Sequence, residues 1–286
     1  MYKNPVYKRE LTTENRSLRF HIILILFYLL LVVFGLIGLY LFASKAEQTG
    51  VVDYSAMLKL YAAIITAEFI LIITYIPIPA GVSVSGERET HQFDLLIMTA
   101  LTPGQIVLGK LRAILSTSIL LCMMGMPVLS LVFIYGGIRT TDILLFLGVL
   151  TVEIVYIAST GIFISSLFHK SITAVFVNYF FLFLSNVLGL FFLFSPHFGF
   201  SAYLKTDSLY TYYPLLLTPA AAFYELVSGQ MGRPYGIFHA INSHELYTHT
   251  VVTENWLMIS MGLHIVISIL ALYLATDRIR PKNYVK

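Results

Sequence analysis

The stretch over residues 22–42 holds 21 residues without one charged side chain, and it constrains the fold more than any other feature. At about 1.5 Å rise per residue, a helix of this length extends roughly 31 Å, the hydrocarbon thickness of a bilayer. A cleaved signal peptide would have a shorter apolar region, of roughly 7 to 15 residues, followed by small residues. The stretch therefore predicts a retained transmembrane helix.

Similar apolar blocks recur and predict an all-α integral membrane protein with six transmembrane helices. The other five predicted spans cover residues 58–78, 111–135, 143–167, 172–194 and 256–275. Mean hydropathy is +0.82 and charged residues make up 12% of the chain, about half the usual share in soluble proteins. We predict one domain over residues 1–286, whose longer polar segments are 1–20, 81–110 and 195–255.

The distribution of basic residues predicts the orientation. Thirteen of the 18 lysines and arginines fall on the side of the two termini and five on the other. By the positive-inside rule both termini lie in the cytoplasm of a multi-pass protein of the plasma membrane. The net charge of +3 therefore reflects membrane topology. The sequence has no basic patch interleaved with aromatic residues, so it does not indicate nucleic-acid binding. The single cysteine, Cys122, excludes a disulfide within the chain.

The first polar segment predicts an amphipathic helix. Asn4 and Pro5 are typical of a helix start, and the apolar and basic residues that follow favour a helix along the lipid headgroups. A solvated basic tail is the alternative.

Two helices are predicted between the second and third spans. Glu87 and Glu89 should open the first, near its positive dipole end, and Phe93 and Leu96 lie at helical spacing on one face. On periodicity alone, a loop helix resting on lipid is an equal alternative.

The second of these helices should begin at Pro103. Thr102 and Gln105 flank this proline as a capping box, so the helix runs from there into the third span. The short cytoplasmic helix would then be joined rigidly to the third span, a geometry suited to transmitting force from a cytoplasmic partner.

The segment over 86–110 resembles the signature of ABC-2 type permeases. The residues in register are Glu87, Arg88, Glu89, Asp94, Leu95, Leu96, Thr99, Leu101, Ile106, Gly109 and Lys110. Residues 4–11 resemble the entry helix of that family, and residues 217–226 resemble its segment before the last span. His91, Gln92 and Ala100 depart from the pattern.

The resemblance implies a function. A coupling helix over 86–102 would dock into a separate ATP-binding subunit, and a second permease, identical or related, would complete an exporter of an amphiphilic drug, peptide or lipid. ATP and magnesium would be bound by the partner. The implied coupling residues are Glu87, Arg88, Glu89, Phe93, Asp94, Leu96, Thr99 and Leu101.

The chain lacks an ATP site of its own by sequence. Gly104, Gly109 and Lys110 match part of a Walker A pattern, but Leu111 stands where a serine or threonine must ligate magnesium. We therefore expect no enzyme activity from this chain and no cofactor bound to it. A membrane-embedded lipid-modifying enzyme and an ATPase-linked sensor without transport remain the alternatives.

Polar residues inside the spans are further candidates. Glu68, Glu153 and His264 lie near span centres, where an ionised side chain costs roughly 2.5 to 3.5 kcal/mol. They form either a cation-attracting or proton-relaying cavity or a hydrogen-bonded network. Asn178 and Asn186 can share one helix face, where they face a dimer cavity or bridge helices.

Prolines mark expected interruptions of the spans. Pro77 and Pro79 should end the second span, and Pro127 should kink the third.

The outer segment predicts a short helix and no metal site. Thr218 and Pro219 should open an apolar helix that reaches about residue 227 and dips into the outer leaflet as a re-entrant or interfacial helix. Trp256 should anchor the sixth span at the membrane interface. The remaining candidates are His239, His244, Glu245 and His249. His244 and His249 are five residues apart, unlike the pair four apart that binds zinc on a helix.

Overall fold

The computed structural model describes residues 5–49, 54–93, 101–134, 138–194, 209–232, 236–237 and 251–280. Over these ranges the fold is helical and contains no strand, as the sequence predicts. The main elements are α1 (Pro5–Arg16), α2 (Leu18–Thr49), α3 (Tyr54–Tyr75), α4 (Pro77–Glu89), α5 (Pro103–Ile134), α6 (Thr140–Leu167), α7 (Ser171–Phe194), a 3-10 helix (Leu209–Leu217), α8 (Pro219–Gln230), α9 (Val251–Glu254) and α10 (Trp256–Ile279).

Five stretches of the described helices are long and apolar enough to cross a membrane. They are Phe20–Ser44, Ala56–Glu89, Pro103–Ser130, Thr140–Leu167 and Trp256–Ile279. Helix α7 adds a shorter apolar stretch, Ser171–Val187. An all-helical fold with several membrane-length helices is therefore confirmed, and the span predicted over residues 172–194 stays a prediction.

The expectation that Pro77 and Pro79 end the second span is wrong. Helix α3 ends at Tyr75, but α4 begins two residues later and continues to Glu89. Backbone bonds from Ile76 N to Ile72 O and from Ala80 N to Ile76 O, both 3.1 Å, carry the helical pattern across the junction. Proline is tolerated there because the first position of a helix needs no N–H donor.

The chain divides into two compact units, Met1–Asn178 with Ser268–Lys286, and Tyr179–Ile267. In the first unit, α4 packs most extensively against α6, and α5 contacts α1, α2, α3 and α6. Helix α5 is thus the central element of this unit.

Helix α1 packs along the first half of α5. Val6 is buried against Ile106, and the Tyr7 hydroxyl lies 3.1 Å from Ser116 Oγ. The apolar side of α1, which we expected to rest on lipid, is therefore occupied in part by protein.

The second unit has a small apolar core around Trp256. This side chain is only 2% exposed and packs with four other buried residues, Leu215, Leu216, Ala221 and Ile237. The expectation of an interfacial anchor is wrong here, because the indole ring is enclosed by protein.

Helix α8 begins at Pro219, as predicted, and ends at Gln230. Thr218 is its N-cap residue by position, but its side chain makes no capping bond. Its hydroxyl instead donates to the Leu215 carbonyl at 2.8 Å, which the preceding 3-10 helix presents within reach.

Candidate functional site

The last turn of α4 carries three consecutive charged residues, Glu87, Arg88 and Glu89. The expectation that the two glutamates open a helix is wrong, because they end one. Thr90 is the C-cap residue, and His91 follows with a φ of 57°, in the left-handed region that stops a helix. The three charged residues therefore stand where the long helical pair α3–α4 gives way to the segment that leads to α5.

Glu87 joins α4 to α1 and α5. Its Oε1 accepts bonds from Lys110 Nζ at 2.9 Å and from Arg9 Nη2 at 2.5 Å, and Lys110 also bonds Glu10 Oε1 at 3.0 Å. The Lys110 side chain is only 3% exposed. Buried charges of this kind are stable only when paired, so the contact fixes the three helix segments relative to one another.

Arg88 joins α4 to the end of α6. Its Nη1 donates to the Ser166 carbonyl at 2.5 Å, one of the terminal carbonyls of that helix, where a cation is favoured. The guanidinium carbon also lies 4.8 Å from the centre of the Phe93 ring, which is buried. The guanidinium thus holds both the end of α6 and the residues just past α4.

Glu89 joins α4 to the start of α7. Its Oε2 accepts from the backbone N–H of Ser171 at 2.9 Å and from the hydroxyl of Ser171 at 2.5 Å. A carboxylate at this position satisfies a free N–H and is favoured by the helix dipole. Sequence reasoning missed Ser171, which has no signal of its own because its partner lies 82 residues away.

The predicted capping box at Pro103 is confirmed. Gln105 Oε1 accepts from Thr102 N at 3.1 Å, and Thr102 Oγ1 accepts from Gln105 N at 3.4 Å. Leu101, one of the implied coupling residues, packs against Val6 and Ile106. The other implied coupling residues, Asp94, Leu96 and Thr99, lie outside the described residues.

The partial Walker A match lies within a helix. Helix α5 begins at Pro103, so Gly104, Gly109 and Lys110 are helical, and the Lys110 ammonium is bound by Glu87 and Glu10. This geometry differs from the loop that cradles phosphates.

Glu68 and Glu153 are fully buried in the first unit, on α3 and α6. Both oxygens of Glu68 lack a hydrogen-bond partner among the described residues. The carboxyl group lies against Gly125 of α5, where an added Cβ would be 2.7 Å from its Cδ and from each oxygen.

Asn178 is a buried bridge between α7 and α4. Its Nδ2 donates to the Pro77 carbonyl at 3.2 Å. Beside it, Ser165 of α6 accepts from Val84 N and Ser85 N and donates to the Gly81 carbonyl at 2.6 Å. Ser165 was missed, because a lone serine inside an apolar span gives no distinguishing pattern.

Asn186 and His264 lie in the second unit. Asn186 donates to the Leu182 carbonyl at 2.7 Å and accepts from Ala220 N at 3.3 Å, so it connects α7 to α8. His264 is fully buried. Both asparagines of α7 therefore make contacts between helices, as one of the two sequence alternatives requires.

The described residues contain no group of three histidine, cysteine or acidic side chains that could hold a metal ion. His239, His244, Glu245 and His249 lie outside the described part of the chain.

Compared with known proteins, the chain matches no family model, and no curated protein matches it significantly. The resemblance to ABC-2 type permeases therefore stays a prediction drawn from the residues themselves.

Proposed function

We propose that this chain is the permease subunit of an ATP-driven exporter in the plasma membrane, coupled to a separate ATP-binding subunit through residues 86–102. In the proposed assembly the chain has six spans with both termini in the cytoplasm. It pairs with a second permease, identical or related. The cargo is an amphiphile, a drug, peptide or lipid.

One observation carries the proposal: three adjacent charged residues connect the start of this segment to four other helices. Glu87 binds α1 and α5, Arg88 binds α6, and Glu89 binds α7. A displacement of the segment by a partner is therefore transmitted to several helices at once. A loop helix resting on lipid has no need of such connections.

The contacts also refine which residues meet the partner. Glu87 and Phe93 are buried, whereas Thr90, His91 and Gln92 are exposed in the turn between them. We place the docking surface on these three residues and on the part of 94–102 that follows. The charged residues of α4 then hold the segment in position.

The test is purification of the full-length chain from the cell that encodes it, followed by assay of bound ATPase activity. Gln92→Asp should abolish co-purification of the ATPase. Thr140→Asp, which places the same charge at an exposed position at the start of α6, should leave it unchanged. Reconstitution with the partner should then show cargo accumulation in vesicles and ATP turnover stimulated by cargo.

The same experiment distinguishes the enzyme and sensor alternatives from the exporter. A chain that modifies lipid without an ATPase is an enzyme. An ATPase complex that responds to a ligand but moves none is a sensor. Activity that survives disruption of residues 86–102 would show the proposed coupling to be wrong.

A further inference from the structure

Glu68 is a buried acid that the proposed coupling contacts do not use. It is fully buried in α3, and among the described residues neither of its oxygens has a hydrogen-bond partner. A carboxylate in this position would be an uncompensated charge in an apolar environment. A neutral carboxylic acid tolerates the same position far better.

Gly125 makes room for this carboxyl group. A Cβ on Gly125 would lie 2.7 Å from Glu68 Cδ and from both oxygens, so any larger residue would displace the acid. The carboxyl group rests directly on the α5 backbone. We call this contact the Gly125 notch.

Among the described residues, no lysine, arginine or histidine forms an ion pair with Glu68. Helix α3 packs against α2, α4, α5 and α6. Helix α5 carries the buried thiol of Cys122, which is an uncharged group. Other titratable side chains of the packed helices form no hydrogen bond or ion pair with Glu68 in the described part of the chain. They include His21, Tyr28, Glu87, Arg88, Glu89, Lys110, Arg112, Asp142, Glu153 and Tyr156.

We propose that Glu68 is a proton-binding site within the membrane domain, whose neutral carboxyl group occupies the Gly125 notch and whose proton exchanges with solvent. The reaction is a proton transfer alone, from the acid to water or to an incoming base, with no redox step. Loss of the proton leaves a carboxylate that must leave the notch or admit water. Proton occupancy therefore governs the contact between α3 and α5.

The test is infrared difference spectroscopy on the full-length chain in lipid nanodiscs. The wild type should show the carbonyl stretch of a protonated acid that is lost in Glu68→Gln and shifts in D2O. If Glu68→Gln removes no such band, Glu68 is ionised and the proposal is wrong. If the band is lost but does not shift in D2O, the proton does not exchange, and the proposal is equally wrong.

Two further variants test whether the infrared band comes from Glu68 and whether it depends on Gly125. Glu153→Gln, which alters another fully buried acid, should leave the Glu68 band in place. Gly125→Ala should shift the Glu68 band, and an unshifted band would contradict the notch. If Glu68→Gln fails to fold, wild-type protein treated with a hydrophobic carbodiimide should carry the adduct on Glu68, with labelling that falls as pH rises. No adduct at any pH would overturn the proposal.

Discussion

Asn178 fits against Gly161 so closely that a single methyl group at position 161 would collide with it. A Cβ on Gly161 would lie 2.5 Å from Asn178 Nδ2 and 2.6 Å from Ala80 Cβ. Gly81 is similarly confined, because its Cβ would lie 2.9 Å from the backbone of Val175. Helices α4, α6 and α7 thus meet through small residues, the usual means of close helix packing in membranes.

Gly161→Ala should destabilise the protein by about 1–3 kcal/mol, the range for overpacking a filled core. Gly148→Ala is the matched control, because it lies on the same helix with nothing within 4 Å of the added Cβ. The control should be neutral or stabilising by up to about 1 kcal/mol, since alanine favours the helix. Thermal unfolding in detergent measures both, and equal effects would contradict the packing described at Gly161.

Lys110→Met should cost about 1.5–3 kcal/mol, because Glu87 loses a charged hydrogen bond while its pairing with Arg9 remains. The double variant Glu87→Gln with Lys110→Met should recover much of this loss, since no buried charge then remains unpaired. A double-mutant cycle of unfolding free energies measures the coupling.

Lys8→Met is the control for the lysine change. Lys8 is exposed and forms no ion pair among the described residues, so its replacement should alter stability by no more than about 0.5 kcal/mol. Additive effects of Glu87→Gln and Lys110→Met would show that the two side chains are not coupled.

Glu89→Ala should loosen the start of α7 more than Ser171→Ala does. The first change removes the acceptor of both bonds, and the second removes the hydroxyl but keeps the backbone N–H donor. Hydrogen exchange of the first turn of α7 measures the difference. Equal exchange in both variants would show that the backbone bond contributes nothing.

Glu14 should make stability depend on pH. Burial raises the pKa of this carboxyl group above its usual range, the bond from Thr117 opposes that shift, and the nearby Glu10 adds to it. The folded state then binds the proton more tightly than the unfolded state. The stabilisation is full below the usual pKa and is lost as pH rises through the folded pKa.

Glu14→Gln removes that dependence. The free energy of unfolding of the wild type, relative to the variant, should therefore fall from acidic to neutral pH. Chemical unfolding of both proteins across this range measures it. A constant difference would mean that the pKa of Glu14 is the same in both states.

Local features were predictable from the sequence. The apolar blocks predicted the long helices, and the capping box at Thr102 and Gln105 predicted where α5 begins. Pro219 likewise marked the start of α8. Each signal lies within one continuous stretch of sequence and needs no partner from elsewhere in the chain.

Features that depend on distant partners could not be predicted. The glutamates at 87 and 89 suit a helix start by charge, but their helix had already begun at Pro77, and their partners come from α1, α5 and α7. The local sequence around Pro77 predicts the end of a helix. In the structure Pro77 instead begins α4, directly after α3. Gly125 and Gly161 gain their roles only from the side chains that pack on them.

The position of α1 has a consequence for synthesis. Its side chains bind residues 78 to 109 positions further along, Arg9 with Glu87 and Tyr7 with Ser116 at the two extremes. The ribosome makes α1 before α5, so most of these partners do not exist until α5 emerges. Helix α1 therefore cannot make these contacts until α5 has been synthesised as far as Thr117, and its docking follows synthesis of the first half of the third long hydrophobic segment.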